Sequence, residues 1–194
     1  MILPFHDPRP ANSGIKANHF RGNSLMLTPD EEKYLAGIPE NKKIFIQEFN
    51  PATKEVTNRI IARIQAEKPG IEVSNFGSTA LEIAGQNDID LNVLSSLDAY
   101  TDDLPILEKL FGQPKQKERL PMKWEFMEDG FEVEVYLSDK NSPTFQDHVR
   151  VYTAMKENPA LAREYEDLKR SFDGGSFREY MRKKYELFHR ILGK

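Results

Sequence analysis

From residue 71 onward the chain takes on the two-residue rhythm of a sheet. Ile71, Val73 and Phe76 mark a first strand, and Ile89, Leu91 and Val93 a second. Asp88, Asp90 and Asn92 then fall on the second strand's other face. Further on, Trp124–Phe126 and Phe131–Leu137 flank Asp129-Gly130, the dipeptide that most strongly signals a tight hairpin. In the later of these strands Phe131, Val133, Val135 and Leu137 alternate with Glu132, Glu134 and Tyr136.

On both sides of this stretch the period is helical. Thr28 is a candidate N-cap, Pro29 suits the first helical position, and Glu31 completes a capping box; the helix ends near Gly37. Asn50-Pro51 opens a second helix carrying Val56, Ile60, Ile61 and Ile64, which Pro69-Gly70 closes. Ile44-Phe45-Ile46 suits strand or helix equally. Ser78 to Ile83 has room for one to two helical turns, and residues 100–111 for a crossover helix ending at Gly112. After Ser142 there are no strands, only helical runs at 142–157, 159–172 and 176–192, separated by Asn158-Pro159 and Gly174-Gly175.

This order predicts an α+β fold, a mixed β-sheet with helices on one face plus a C-terminal helical lobe. It divides the chain into an N-terminal arm at 1–27 with no apolar period, an α+β core at 28–140, and the lobe at 141–194. With 194 residues, 39% of them hydrophobic, there is enough chain for one substantial core. The net charge of -4 argues against a general polyanion binder, so nucleic acid is an unlikely partner, though a local basic patch can still grip phosphate. Without cysteine there is no disulfide, thiolate metal site or thiol nucleophile, and His6, His19, His148 and His189 are too scattered for a zinc site. No apolar run approaches membrane length and the first residues do not resemble a signal peptide, so a cytoplasmic protein with no membrane partner is expected. No feature of the pattern assigns an oligomeric state.

Three pieces of the sheet region carry chemistry. Gly77-Ser78 lets the backbone approach an anion and adds a hydroxyl donor, although such a pair most often serves as a capped turn. Asp88 and Asp90, two apart on a strand, aim both carboxylates at one spot, where magnesium or manganese and phosphate oxygens can be held. Paired carboxylates repel, so a merely structural face of this composition is costly unless it is wet or metal-filled. A glutamate on the Phe131–Leu137 strand can supply a third carboxylate if the two strands are neighbours. Glu134 is preferred, because Val135-Tyr136-Leu137 after it mirrors the residues after Asp90; Glu132 stays open. In the tail, Tyr165 with Lys169 and Tyr180 with Lys184 each share a helix face. Ordinary packing with solvated lysines is the commoner use of such pairs, and the same holds for Arg150 and Lys123.

Read together as G-S-T-x7-N-D-I-D-L and then a carboxylate on a later strand, residues 71–137 resemble the core of polymerase-β-like nucleotidyltransferases. That resemblance implies that Gly77, Ser78 and Thr79 bind the triphosphate, and that Asp88, Asp90 and Glu134 hold the metal and carry catalysis. The tail, from His148-Val149-Arg150-Val151-Tyr152 through Asn158-Pro159 and two Y-x3-K pairs, is similar to that of GrpB-like proteins, a branch of the same superfamily. It covers about residues 70–192 and implies that Lys169 and Lys184 reach the triphosphate. Many GrpB-like sequences carry an apolar residue at the position of Asp88 and often a histidine at that of Glu134, whereas this chain has carboxylates at both. The implied activity is transfer of a nucleoside monophosphate from an NTP such as ATP to a hydroxyl on a small molecule or a protein. A protein that binds nucleotide or phosphate without catalysis is the alternative; an RNA-modifying transferase would need a basic groove that the composition does not supply.

Overall fold

A computed structural model describes residues 27–115 and 120–194; apart from Leu27, the expected N-terminal arm lies outside the described residues. Helix α1 (Pro29–Gly37) begins with the expected capping box, in which Thr28 and Glu31 satisfy each other's backbone N–H. Helix α2 (Ala52–Glu67) is followed by strands β1 (Glu72–Phe76) and β2 (Ile89–Ser95), then helix α3 (Tyr100–Phe111). Strands β3 (Met122–Glu128) and β4 (Phe131–Asp139) form the hairpin. Asp129 and Gly130 both take the positive φ that a two-residue turn of this kind needs. Helices α4 (Pro143–Glu157), α5 (Pro159–Ser171) and α6 (Phe177–Leu192) complete the chain.

The sheet order is β1-β2-β4-β3, with β2 and β4 parallel and both outer pairs antiparallel. Alternation sorts its faces. Leu91, Val93, Val133, Val135, Leu137 and Trp124 point to one side and pack with Ile60 and Ile64 of α2 and Leu107 of α3. Asp90, Asn92, Glu134 and Tyr136 take the other side. The expected mixed sheet with helices on its apolar face is therefore present, and β2 and β4 are neighbours.

A second cluster forms the lobe. It joins α4–α6 through Val151, Met155, Tyr165, Tyr180 and Tyr185, and draws in Leu35 of α1. Glu31 of α1 also lies 2.9 Å from His189 of α6, and the Glu32 carboxylate pairs with Arg182 at 2.7 Å. Ile44-Phe45-Ile46, which suits strand or helix equally, is neither, and lies within residues 42–47. They run as a strap making single bridges on two sides: Ile44 exchanges backbone hydrogen bonds with the Gly174-Gly175 turn, and Gln47 exchanges both of its own with Gly85. The segment Ser78–Ile83, expected as a short helix, forms only consecutive turns closed by bonds such as Leu81 N–H to Ser78 C=O. Glu82 within it sits in left-handed backbone at φ 58°, which an α-helix does not accommodate. No helix among the described residues is long and apolar enough to cross a membrane.

Leu91 is fully buried between the two residues that bracket it on the polar face. Leu91→Ala is expected to cost about 2–5 kcal/mol, read as a lowered urea midpoint, while Thr28→Ala at the α1 cap costs about 1 kcal/mol.

Candidate active site

Register builds the site across the sheet. Phe76, Asp90, Glu134 and Glu125 occupy one row on the polar face, since Phe76 pairs with Asp90, Asp90 with Glu134, and Glu134 with Glu125. Asp88 lies just before β2 begins and is partly exposed, whereas Asp90 is only 2% exposed. Between them and the end of β1 sits Gly77 at φ +89°, and a Cβ there would stand 2.6 Å from Asp90 Oδ2. Both the backbone conformation and the closeness of the carboxylate require glycine.

The loop from Ser78 to Asn87 supplies the next groups. Because it is a run of turns rather than a helix, it offers no helix N-terminus to an anion. Ser78 Oγ is buried and makes no hydrogen bond among the described residues. Thr79 Oγ1 instead donates to the Asp88 carbonyl at 3.0 Å, which ties its hydroxyl to the placement of Asp88. Asn87, at φ 57°, anchors the approach to Asp88 by accepting from Asn50 N–H at 3.1 Å and donating to the Glu48 carbonyl at 3.0 Å. Gly85 was not singled out in the sequence, where it is one glycine in a loop. The position of a Cβ on it lies 2.1 Å from Ser78 Oγ and 3.5 Å from Lys169 Nζ, so its bare backbone is what admits the Ser78 hydroxyl close to that lysine.

Lys169 of α5 and Lys184 of α6 are not solvated. They are 5% and 6% exposed and turn inward, where they line a tight cavity of roughly 20 Å³ with Ser78, Asp88, Asp90 and Tyr180. A more apolar cavity of roughly 50 Å³ shares Gly77, Asp90, Tyr165 and Lys184 and extends to Tyr152 and Phe188. On the far side of Asp88 a cleft of roughly 490 Å³ runs past Glu132, Glu134 and Met127. Asp88 thus borders both the lysine-lined compartment and the open cleft, while Asp90 faces the two inner cavities. Arg150 is elsewhere, paired with Asp147 at 3.1 Å on the surface of α4. Lys123 does join the site, donating to Glu134 Oε1 at 2.8 Å, and Tyr136 donates to Glu134 Oε2 at 2.5 Å.

This crowding sets the charges. Burial, then the neighbouring carboxylates Asp88 and Glu134, push the Asp90 carboxyl up to about 6. Burial works in the same direction on Asp88, but the positive groups around it, Lys169 and Lys184 among them, outweigh it and hold that carboxyl below its ordinary value. Glu134 is likewise held low against burial, with Lys123 and Tyr136 among the groups responsible. Burial and the nearby Lys169 draw the Lys184 ammonium down to about 8. Burial and Lys184 push His148 down to about 3, which leaves its ring neutral.

Among the described residues no three His, Cys, Asp or Glu side chains come together closely enough to cage a metal ion. The expected triad of Asp88, Asp90 and Glu134 therefore shares a face without forming a three-carboxylate cage, because Lys123 and Tyr136 take up Glu134. What remains is a pair of hard oxygen donors beside a cavity lined by ammonium and hydroxyl groups. That set fits magnesium or manganese, which are commonly held by one or two carboxylates with water and substrate phosphate completing the shell.

A family model described as GrpB protein matches residues 43–194. Among curated proteins none matches the chain. Similar solved structures include the Cid1 poly(U) polymerase with MgGTP bound, at 16% identity and a TM-score of 0.47, covering 63% of this chain and 43% of that one. Cid1 with the UTP analogue UMPNPP matches at 15% identity and a TM-score of 0.43, over 72% and 40% of the two chains. A cytoplasmic RNA terminal U-transferase matches at 14% and 0.44, over 73% and 43%. The chain spans less than half the length of each of them.

The raised Asp90 carboxyl makes this site a source of instability at neutral pH. A rise from 3.8 to about 6, at about 1.4 kcal/mol per pH unit, amounts to roughly 3 kcal/mol. The folded protein holds this proton more tightly than the unfolded chain. Asp90 therefore favours folding most below pH 4, and that advantage is lost as pH rises to about 6. Asp90→Asn is expected to be more stable than the wild type by up to about 3 kcal/mol at pH 8, with the gap closing below pH 4. Urea unfolding in EDTA across that range measures it, and a gap independent of pH would contradict the assignment.

Proposed function

The chain belongs to the GrpB family, and from that premise we propose that it is a metal-dependent nucleotidyltransferase moving a nucleoside monophosphate from an NTP to a hydroxyl-bearing acceptor. The observation that carries this reading is the placement of Asp88 and Asp90 at the mouth of a cavity whose other walls bring Ser78 and two buried lysines. Few other ligands ask for carboxylates and ammonium groups in one small enclosure. A triphosphate with its metal does, since it presents anionic oxygens on one side and a cation on the other.

Each residue then has a task. Ser78, Lys169 and Lys184 hold the phosphates, and Gly77 lets the chain pass close to them. Asp88 and Asp90 hold the metal, with Thr79 and Asn87 fixing the backbone at Asp88. A divalent ion held there would supply positive charge against the negative charge that develops during transfer. The acceptor enters by the cleft along Glu132 and Glu134. Its oxygen bonds to the α-phosphorus, the bond from that phosphorus to the bridging oxygen breaks, and pyrophosphate leaves. Glu134, ionised and oriented by Lys123 and Tyr136, is positioned to take the acceptor's proton. Most of the rate would come from positioning and charge, with no covalent intermediate on the protein. A net charge of -4 suits a small molecule or a protein hydroxyl as acceptor better than bulk nucleic acid.

One observation favours the alternative of a nucleotide-binding protein without catalysis: Glu134 is already engaged by two partners. The two readings separate in one experiment, pyrophosphate release from each NTP with magnesium or manganese in the presence of candidate acceptors. The transferase reading expects release that falls roughly a hundredfold in Asp90→Asn, about 2.7 kcal/mol of barrier. Metal-dependent binding of NTP without any release, indifferent to Glu134→Gln, would leave the binding protein. No metal-dependent NTP binding at all would sink both.

A further inference from the structure

Lys169 is a buried ammonium that no carboxylate among the described residues neutralises by contact. It makes no hydrogen bond or ion pair within 4 Å among those residues. Its Nζ instead lies 4.9 Å from the centre of the Tyr165 ring and 5.5 Å from that of Tyr180. Both tyrosines are nearly inaccessible, at 3% and 2% exposed, and their hydroxyls meet at 3.3 Å. The rings are braced in turn, Tyr165 by the edge of Phe188 at 5.5 Å, and Tyr180 by Phe172 and Phe177 at 6.2 and 6.1 Å. Buried lysines are ordinarily paired with an acid, and such pairing would cancel the charge. An aromatic face attracts an ammonium through its quadrupole and leaves that charge whole.

We infer that Tyr165 and Tyr180 are positioning residues, a two-ring clamp that holds the Lys169 ammonium out of direct ion pairing and beside Ser78 Oγ, which packs against the bare Gly85 backbone, so that a terminal phosphate group is captured by the two donors. The identity of that anion as part of a nucleotide rests on the reading proposed above. The clamp itself rests on the geometry of four side chains and one glycine. It gives the Y-x3-K spacing a physical use: Tyr165 and Lys169, four apart on α5, share a face, and Tyr180 closes from α6. The tyrosines are thereby committed to the lysine rather than to stacking on a base.

The test titrates inorganic tripolyphosphate and, separately, ATP, each with magnesium, into the full chain and its variants. Tyr165→Phe and Tyr180→Phe keep both rings and lose only the contact between hydroxyls, so affinity for either ligand is expected to stay within about twofold. Tyr180→Leu removes one face of the clamp and is expected to weaken both ligands about fivefold to tenfold. Lys169→Met is expected to weaken them further, and adding Tyr180→Leu to it to cost nothing more, because the tyrosine acts only through the ammonium. A merely structural tyrosine would make the two changes additive. Additivity, a tenfold loss in either Phe variant, indifference to Lys169→Met, or failure of the wild type to bind tripolyphosphate each overturns the clamp. If Tyr180→Leu does not fold, the Phe variants and Lys169→Met still decide. Lys169-dependent binding of tripolyphosphate without pyrophosphate release from any NTP would refute the transferase and leave the clamp standing.

Discussion

The carboxylate of Asp90 is buried where the sheet meets the helical lobe, and much of the surrounding structure answers to it. Gly77 has no side chain because Asp90 Oδ2 occupies the space. The neighbouring row of β4 places Glu134 beside it, and Lys123 and Tyr136 then absorb Glu134 so that two carboxylates do not face each other bare. The lobe answers with lysines turned inward. A buried acid whose carboxyl rises to about 6 is a defect in a structure selected only for stability. Its place beside the cavities, at the junction of two packed units, is what makes this the candidate site, since displaced acidities and cavities coincide at working centres.

Much of this was legible in the chain. The two-residue alternation of Ile89–Val93 and Phe131–Leu137 determined which side of each strand is apolar, and the sheet's two faces are settled once both strands bury that side. The Asp129-Gly130 turn and the Thr28–Glu31 capping box are local devices whose geometry depends on few residues, and both formed as expected. The segment Ser78–Ile83 did not: local bonds close its turns, but distant partners hold it, with Tyr152 donating to the Ala80 carbonyl and Glu166 accepting from Ala84 N–H just beyond it. Long-range pairing of this kind leaves no local period. The same holds for the strap at 42–47, whose conformation comes from single bridges to Gly85 and the Gly174-Gly175 turn.

Within the site, type and spacing located the acids but not their partners. Nothing in the alternation tells that Lys123, on the adjacent strand, will be drawn to Glu134, since that depends on the antiparallel register of β3 with β4. Gly85 was silent because a glycine declares itself only by what a side chain would strike. Conversely, the lysines at 169 and 184 read most simply as solvated ends of helical faces. The fold reversed this, because α5 and α6 place those faces against the polar side of the sheet rather than toward water. Helical spacing specifies which residues share a face; tertiary packing decides what that face sees.

Charge balance ties these observations to the proposed chemistry. Two carboxylates and two ammonium groups line one small cavity, and the four nearly offset one another. A divalent cation alone would leave an excess of positive charge there, next to Lys169 and Lys184. A triphosphate alone would press its charge against Asp88 and Asp90. Arriving together, the ion cancels about half of the triphosphate's charge, so the pair disturbs the balance among the four side chains less than the triphosphate alone would. In an enclosure of low effective dielectric this difference is large compared with the same pairing in water. On the proposed reading the cavity would therefore take the metal–nucleotide complex in preference to the free nucleotide, and the linkage would be reciprocal. The Lys169 clamp is what keeps that count intact, since a direct ion pair between Lys169 and an aspartate would cancel one charge of each sign before any ligand arrived.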